Sequence, residues 1–319
     1  MRPMTLFILV FWAASMGWLT FTKLLPTTEN GIPPQYQDIL PDSAIELPPV
    51  KWSIRLNDKS IGEATNQIKR QEDGQANATS TVWIKELSVD ELIGQRLGGL
   101  GGAIFQRFQP MSPSGGAGDA LSFQVRNEMQ FDHFGELTGF DCIVDVADLP
   151  ECIILRGTVA NEKLKLLAYV TIPSTEGKPA TRQPVHKSEM DLPAGSLIAD
   201  SLSPRPRFSD LYVGQEWTFS TYRPLAPNSP LQDVLATVEA LETIQWNGEP
   251  ITAHRVAYQR PTGGVLNLDQ QLGVVWVDPT GTVLRQTMNW GALRLTFERL
   301  ADDGDSRLTA EEGHRDLDQ

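Results

Sequence analysis

"LATVEALETIQWNGEPITAHRVAYQ" runs from Leu235 to Gln259. Asn247-Gly248 stands near its centre. This dipeptide readily takes the left-handed backbone of a two-residue hairpin turn. Strand-forming runs flank it on both sides. The stretch reads as a β-hairpin, and it sets the expectation for the sequence around it.

Upstream, "GQEWTFSTYRP" supplies another strand. Downstream, "VVWVDPTGTVLRQTM" places a Pro-Thr-Gly turn between two more. "ALRLTFERL" then puts Leu293, Leu295 and Phe297 on one face, with Arg294, Thr296 and Glu298 on the other. This period of two belongs to a strand with one buried face. The pattern recurs in the first half. "KWSIRLND" sets Trp52, Ile54 and Leu56 against Ser53 and Arg55, and ends at an Asn57-Asp58 turn. "IGEATNQIKR", "STVWIKEL", "ALSFQVRNEMQF", "FDCIVDV", "CIILRG" and "LKLLAYVTI" continue it, with an Asp73-Gly74 turn between the first two. Strands do not alternate with helices, which argues against a doubly wound parallel sheet.

The expected fold is mainly β: a curved antiparallel sheet or half-barrel. Residues 51–172 form a first half and 208–300 a second. Between them, residues 173–207 carry prolines at 173, 179, 184, 193, 204 and 206. They read as an irregular crossover, with the two halves as lobes on either side of it.

The amino terminus suggests where the domain sits. "MTLFILVFWAASMGWLTFT", residues 4–22, has no charged side chain. At 1.5 Å of rise per residue such a helix matches a bilayer core of about 30 Å. Arg2 precedes it, while Glu29, Asp38, Asp42 and Glu46 follow. That asymmetry predicts a single-pass transmembrane anchor with its start inside and the bulk exported. A cleaved signal peptide, cut near Ala13-Ala14-Ser15, is the rival reading. The apolar run continues past that site, which favours the anchor. Residues 24–50 hold six prolines and read as a proline-rich stalk. The tail 301–319 carries seven carboxylates against two arginines and reads as disordered and acidic.

The expected location is therefore the cell membrane, with the domain on the extracytoplasmic, periplasmic side of a bacterial envelope. The net charge is −13, from 40 acidic and 27 basic residues, and no basic stripe carries interleaved aromatics. Nucleic acid is not an expected partner. The partners expected are the membrane itself and a lipid or envelope protein.

Export also bears on Cys142 and Cys152, the two cysteines. They flank "IVDVADLPE", where a turn between two strands would bring them together. A disulfide and a pair of buried thiols are both open readings.

"LGGLGGAIFQRF", residues 97–108, contains four glycines among large apolar residues. It lacks the Lys-Ser or Lys-Thr of a Walker loop. A dinucleotide fingerprint starting at Gly99 would need glycine where Ile104 stands. Ser88 to Glu91 form a capping box, and Ile93, Leu97, Leu100, Ile104 and Phe108 follow at helical steps. A short amphipathic helix is expected near 89–108. It lies on its own sheet, or it is a flap over a hydrophobic ligand, or it touches the membrane. In the flap reading Leu97, Leu100, Ile104, Phe105 and Phe108 bind the ligand.

Catalytic signals are thin. His133 stands near Asp132 and Glu136, an acid–base cluster on one reading and a solvated loop on the other. Asp141, Asp145 and Asp148 are carboxylates by count alone, and the first two share a strand face. No nucleophile elbow, metal-ligand spacing or cofactor motif is present. No catalytic residue, metal or cofactor is expected.

Taken in order, Gly214-Gln215-Glu-Trp217, the following "P-L-A-P", Val238-Glu239 with Glu242, Asn247-Gly248 and "WVDPTGTVLRQ" resemble a known pattern. It is that of bacterial, planctomycete-type exported β-rich domains of unknown function, over roughly residues 137–300. Some of these precede transglutaminase-like domains. The strand order is also similar to the half-barrel of lipoprotein-carrier (LolA-like) proteins. That likeness implies a concave apolar face able to hold an acyl chain. The function expected is a non-catalytic, membrane-anchored envelope module that holds a hydrophobic ligand or a protein partner. A structural scaffold and an envelope hydrolase using His133 are the alternatives.

Overall fold

The computed structural model describes residues 11–12, 15–18, 40, 46–88, 120–146, 149–173, 180–193, 196–198, 204–208, 210–222, 231–261, 271–290 and 293–301. Fifteen strands account for most of them: β1 (Val50–Leu56), β2 (Lys59–Arg70), β3 (Ala76–Ser88), β4 (Ala120–Phe131), β5 (Leu137–Val146), β6 (Leu149–Ala160), β7 (Lys163–Ile172), β8 (Thr181–Asp191), β9 (Leu197–Ile198), β10 (Glu216–Tyr222), β11 (Gln232–Trp246), β12 (Glu249–Gln259), β13 (Gln271–Val277), β14 (Val283–Trp290) and β15 (Leu293–Arg299). All belong to one sheet, ordered β8-β7-β6-β5-β4-β3-β2-β1-β15-β14-β13-β12-β11-β10-β9. The neighbours pair antiparallel, except the parallel β9–β10 pair.

The turns follow from the residues that make them. Asn57-Asp58, Asn161-Glu162 and Asn247-Gly248 all take positive φ at both positions. That is the backbone of two-residue hairpin turns whose twist matches the strands they join. Gly281, in the β13–β14 turn, sits at φ 86°. A Cβ there would meet the Phe208 carbonyl oxygen at 2.0 Å, so only glycine fits.

The expectation of two lobes is corrected. β1 lies between β2 and β15, with Ile54 opposite both Gly62 and Phe297. The first and last strands of the domain thus zip its halves into one continuous sheet. The crossover is corrected as well, since residues 181–191 form β8, which pairs along β7. Prolines had suggested irregular chain there. Pro184 is accommodated in an edge strand, at a register shift.

Laid flat, fifteen strands at about 4.8 Å spacing would span roughly 70 Å. A single buried cluster nevertheless includes Trp52, Ala64, Val82, Val125, Cys142, Leu155, Ala168, Trp217, Ala236, Val256, Val275, Val283 and Leu295. Those residues come from every strand but β8 and β9. The sheet is therefore strongly curved, with one face turned in on itself.

Its two ends meet. In β10, Trp217 and Phe219 face the main cluster. By strand alternation Tyr222 faces the other way, as does its register partner Ile198. Those two pack with Phe140, Leu164 and Leu166 of β5 and β7. These three share the inner face with Cys142 and Ala168 of the same strands. The β9–β10 end is tucked against the inner face of β5–β7, and the sheet winds as a spiral. Connectivity holds the ends close, because five residues separate Asp191 of β8 from Leu197 of β9.

Two additions complete the packing. Residues 204–208 form a strap across the inner face. Asn66 Nδ2 donates to the Pro204 carbonyl at 2.9 Å, and the Arg205 amide donates to Gln286 Oε1 at 3.2 Å. The Phe208 amide donates to the Gly281 carbonyl at 2.8 Å. On the outer face, a bulge at Val238/Ala240 bends the β11–β12 hairpin. Its tip lies over β13–β15, where Trp246 Nε1 donates to the Arg299 carbonyl at 2.9 Å. Ile244, Ala253 and Leu284 fill the space beneath.

In the leading segment, residues 11–12 and 15–18 are helical, and among the described residues no helix is long and apolar enough to cross a membrane. The other residues of the expected anchor lie outside the described set, as do residues 89–119 and the tail beyond 301. Within the span read as a stalk, Leu40 is buried beside Ile68 and Phe131, and the Leu47 amide donates to the Ile68 carbonyl.

Candidate functional site

The inner face is mainly apolar, and a polar row crosses it. Asn66, Ser80, Asn127 and Cys142 are successive cross-strand partners on β2, β3, β4 and β5. They form a polar row across four strands, and Ser80, Asn127 and Cys142 are buried. The strap closes over one end of the row through the bond from Asn66 to Pro204.

Among the described residues, nine buried side-chain polar atoms have no hydrogen-bond partner. Buried polar groups are ordinarily paired, because leaving one unpaired costs about 1–3 kcal/mol. All nine belong to inner-face residues or to the tucked end, His254 included, since it faces Val277 in register. The first group surrounds the strap: Trp52 Nε1, Asn66 Oδ1 and Trp217 Nε1. Trp52 and Asn66 are diagonal neighbours, since Trp52 faces Ala64 and Val50 faces Asn66. Trp217 stacks against Phe208 of the strap, with ring centres 6.4 Å apart.

The second group lies where the ends of the sheet meet. Ser196 Oγ and Tyr222 OH come from the tucked end, and His186 Nε2 and Ser188 Oγ from β8, while Thr221 Oγ1 lies on the opposite, Trp217 side of β10. His186 and Ser188 face Ala168 and Leu166 in register, so they share the inner face. Ser196, Thr221 and Tyr222 are 7%, 4% and 0% exposed. Burial pushes the Tyr222 hydroxyl up to about 12 from its ordinary 10.0. Burial also raises Tyr258, on the inner face near the strap, and the Arg205 charge offsets part of that rise.

The ligand residues expected from sequence, Leu97, Leu100, Ile104, Phe105 and Phe108, lie outside the described residues. The expected disulfide is corrected. Cys142 stands opposite Leu155, three residues along β6 from Cys152. Three residues of strand cover about 10 Å, beyond the reach of a disulfide. Both cysteines are buried thiols. Burial, and then the charge of Asp145, push the Cys152 thiol up to about 12. That makes it a poor nucleophile.

The acid–base cluster does not assemble. Asp132 Oδ1 accepts from the amides of Phe134 and Glu136, each at 2.9 Å, and so serves to cap the β4–β5 turn. Asp141 and Asp145 share the outer face, where Arg156 and Arg126 pair with them at 2.8 and 3.4 Å. Asp148 lies outside the described residues. Among the described residues, no three His, Cys, Asp or Glu side chains are grouped to hold a metal.

Sequence reasoning did not single out Asn66, His186, Ser188, Ser196, Thr221 or Tyr222 for binding. A lone polar residue in a strand has the same local pattern whether its face is wet or buried.

Neither a family model nor a curated protein matches this chain. Four chains of solved structures match it. One is a β-barrel-like protein of a domain of unknown function, DUF1849, from Brucella abortus. Its TM-score is 0.42 and its identity 8%, over 81% of this chain and 96% of that one.

Proposed function

We propose that this chain is a non-catalytic binding module of the bacterial envelope, whose spiral sheet holds an amphipathic ligand against its inner face. One observation carries the reading: among the described residues, partnerless polar atoms are concentrated on a mainly apolar, inward-turned face. An apolar ligand body replaces hydrocarbon contacts there, and a few polar groups on it supply the missing hydrogen bonds. In this proposal the resemblance of the strand order, read from the sequence, to lipoprotein-carrier half-barrels would extend to an acyl-chain cargo. The charge-free run at 4–22, with Arg2 before it, supports placement at the membrane with the domain outside. A flap formed by Leu97, Leu100, Ile104, Phe105 and Phe108 belongs to this proposal as the cover of the ligand.

The test is organic extraction of the full-length chain, purified from membranes in a lipid-free detergent, followed by mass spectrometry. A stoichiometric lipid-sized molecule, lost when Leu100 and Ile104 are replaced by aspartate, is the expected outcome. Extracts free of any such molecule, together with retention of protein partners, would turn the reading to a scaffold.

A further inference from the structure

The meeting of the sheet's ends has a chemistry of its own. The tucked end and β8 are not joined by a strand ladder; they are the two extremes of the sheet order. Between them stand two hydroxyls that are more than nine-tenths buried, those of Ser196 and Tyr222, whereas Thr221 faces the Trp217 side of β10. Ser188 Oγ and His186 Nε2 face the same side from β8. Among the described residues, none of these four atoms has a hydrogen-bond partner. Beside them lie Phe140, Leu164, Leu166 and Met190.

Among the described residues, no charged side chain is buried in this seam. Alternation along β8 sends Lys187, Glu189 and Asp191 to the face opposite Ser188 and Met190. Lys163 pairs with Glu189 at 3.6 Å, both half-exposed, and Arg182 pairs with Glu151. On the seam side, the described residues of β7, β8, β9 and β10 carry three titratable groups: His186, Tyr222 and, exposed at the far end of β10, Glu216. Among the described residues, no guanidinium or ammonium faces this side to compensate a buried phosphate or carboxylate, which makes such a head strongly unfavourable here. Serine and tyrosine hydroxyls both donate and accept. They match a group that does the same without charge.

We infer that this seam is the polar-head site of the ligand, and that the head is neutral and hydroxyl-bearing, as in a monoacylglycerol. The acyl body then runs along Leu164, Leu166 and Phe140 toward the main cluster. This rests on the proposed binding function and adds the head-group class and its location.

The full-length chain in lipid-free detergent, titrated with monooleoylglycerol or with oleate at pH 8, gives the test, with bound mass read by native mass spectrometry. One monooleoylglycerol per chain is expected, with oleate at least tenfold weaker. Tyr222→Phe and Ser188→Ala should each weaken monooleoylglycerol about fivefold, the loss of one hydrogen bond. Both variants should melt no lower than the parent, which separates lost binding from lost folding. Equal or tighter oleate binding overturns the neutral head. Monooleoylglycerol binding that neither variant alters overturns the seam while leaving an interior ligand standing. If neither probe binds but a lipid co-purifies, the head-group class is wrong. If neither probe binds and nothing co-purifies, ordered water alone satisfies the seam, and the binding function falls with it.

Discussion

Tyr222 shows how much a single atom can reveal. Its ring is fully buried beside leucines, yet among the described residues its hydroxyl has no hydrogen-bond partner. Without ligand, that hydroxyl costs stability that a phenyl ring would not. Tyr222→Phe should therefore stabilise the ligand-free protein by about 1 kcal/mol, a rise of roughly 2–4 °C in thermal midpoint for a domain of this size. A drop in the midpoint would show that the hydroxyl has a partner in solution. The same burial predicts an alkaline limit. The Cys152 thiol and the Tyr222 hydroxyl keep their protons to about 12 in the folded chain, against ordinary values of 9.0 and 10.0. The folded state thus holds protons that the unfolded chain has released, and stability falls with rising pH in that window. The urea midpoint should be insensitive to these groups below pH 9 and decline from there toward 12. Cys152→Ala should move the onset to near pH 10. An onset still at pH 9 would assign the decline to other groups.

Among the elements, the strap has the most influence for its size. Residues 204–208 contact β2 through Asn66 and β14 through Gln286, and pair with the Gly281 turn. In the sheet, β1 and β15 separate β2 from β14. The strap therefore spans the join of the two halves on the inner side. Arg205 folds back over the Phe208 ring, 4.7 Å from its centre. Gly281→Ala would force a left-handed φ on a side-chain-bearing residue and drive its Cβ into the Phe208 carbonyl. The expected loss is roughly 2–4 kcal/mol, read as a lower urea midpoint. An unchanged midpoint would mean that the strap does not seat on the turn. The bent β11–β12 hairpin plays the complementary part outside. Arg285 donates to the Gln245 carbonyl at 2.9 Å and pairs with Glu298 at 2.8 Å, fastening the hairpin to β14 and β15.

Across the whole molecule, joining β1 to β15 makes the halves one folding unit. Neither half has its own core, since the main cluster draws on β1–β7 and β10–β15 together. Urea unfolding should therefore show one transition, with tryptophan fluorescence and far-ultraviolet circular dichroism coincident. Two separated transitions would restore the two-lobe arrangement. The pairing also makes folding non-local. Trp52 must find Arg299, 247 positions away, before the join can close. Such long-range closure slows folding.

The sequence by itself determined the strands. Period-two alternation in "ALSFQVRNEMQF" marks β4 from end to end, and Asn247-Gly248 marks its hairpin. These are local signals, written in the backbone preferences of one turn or the two faces of one strand. Local signals also misled: prolines hid β8, and two nearby cysteines suggested a bridge that the register of β5 and β6 does not allow. Tertiary structure alone decided the join of β1 to β15, the winding of the sheet and the candidate site. Asn66 and Asn77 sit in neighbouring strands with comparable sequence surroundings. Only the first lies under the strap, because only the folded sheet says which face turns inward. Tyr222 and Trp217 belong to the same short strand, yet they are buried by different parts of the sheet. Their contacts come from strands far away in sequence, and no local pattern encodes which distant strands will meet.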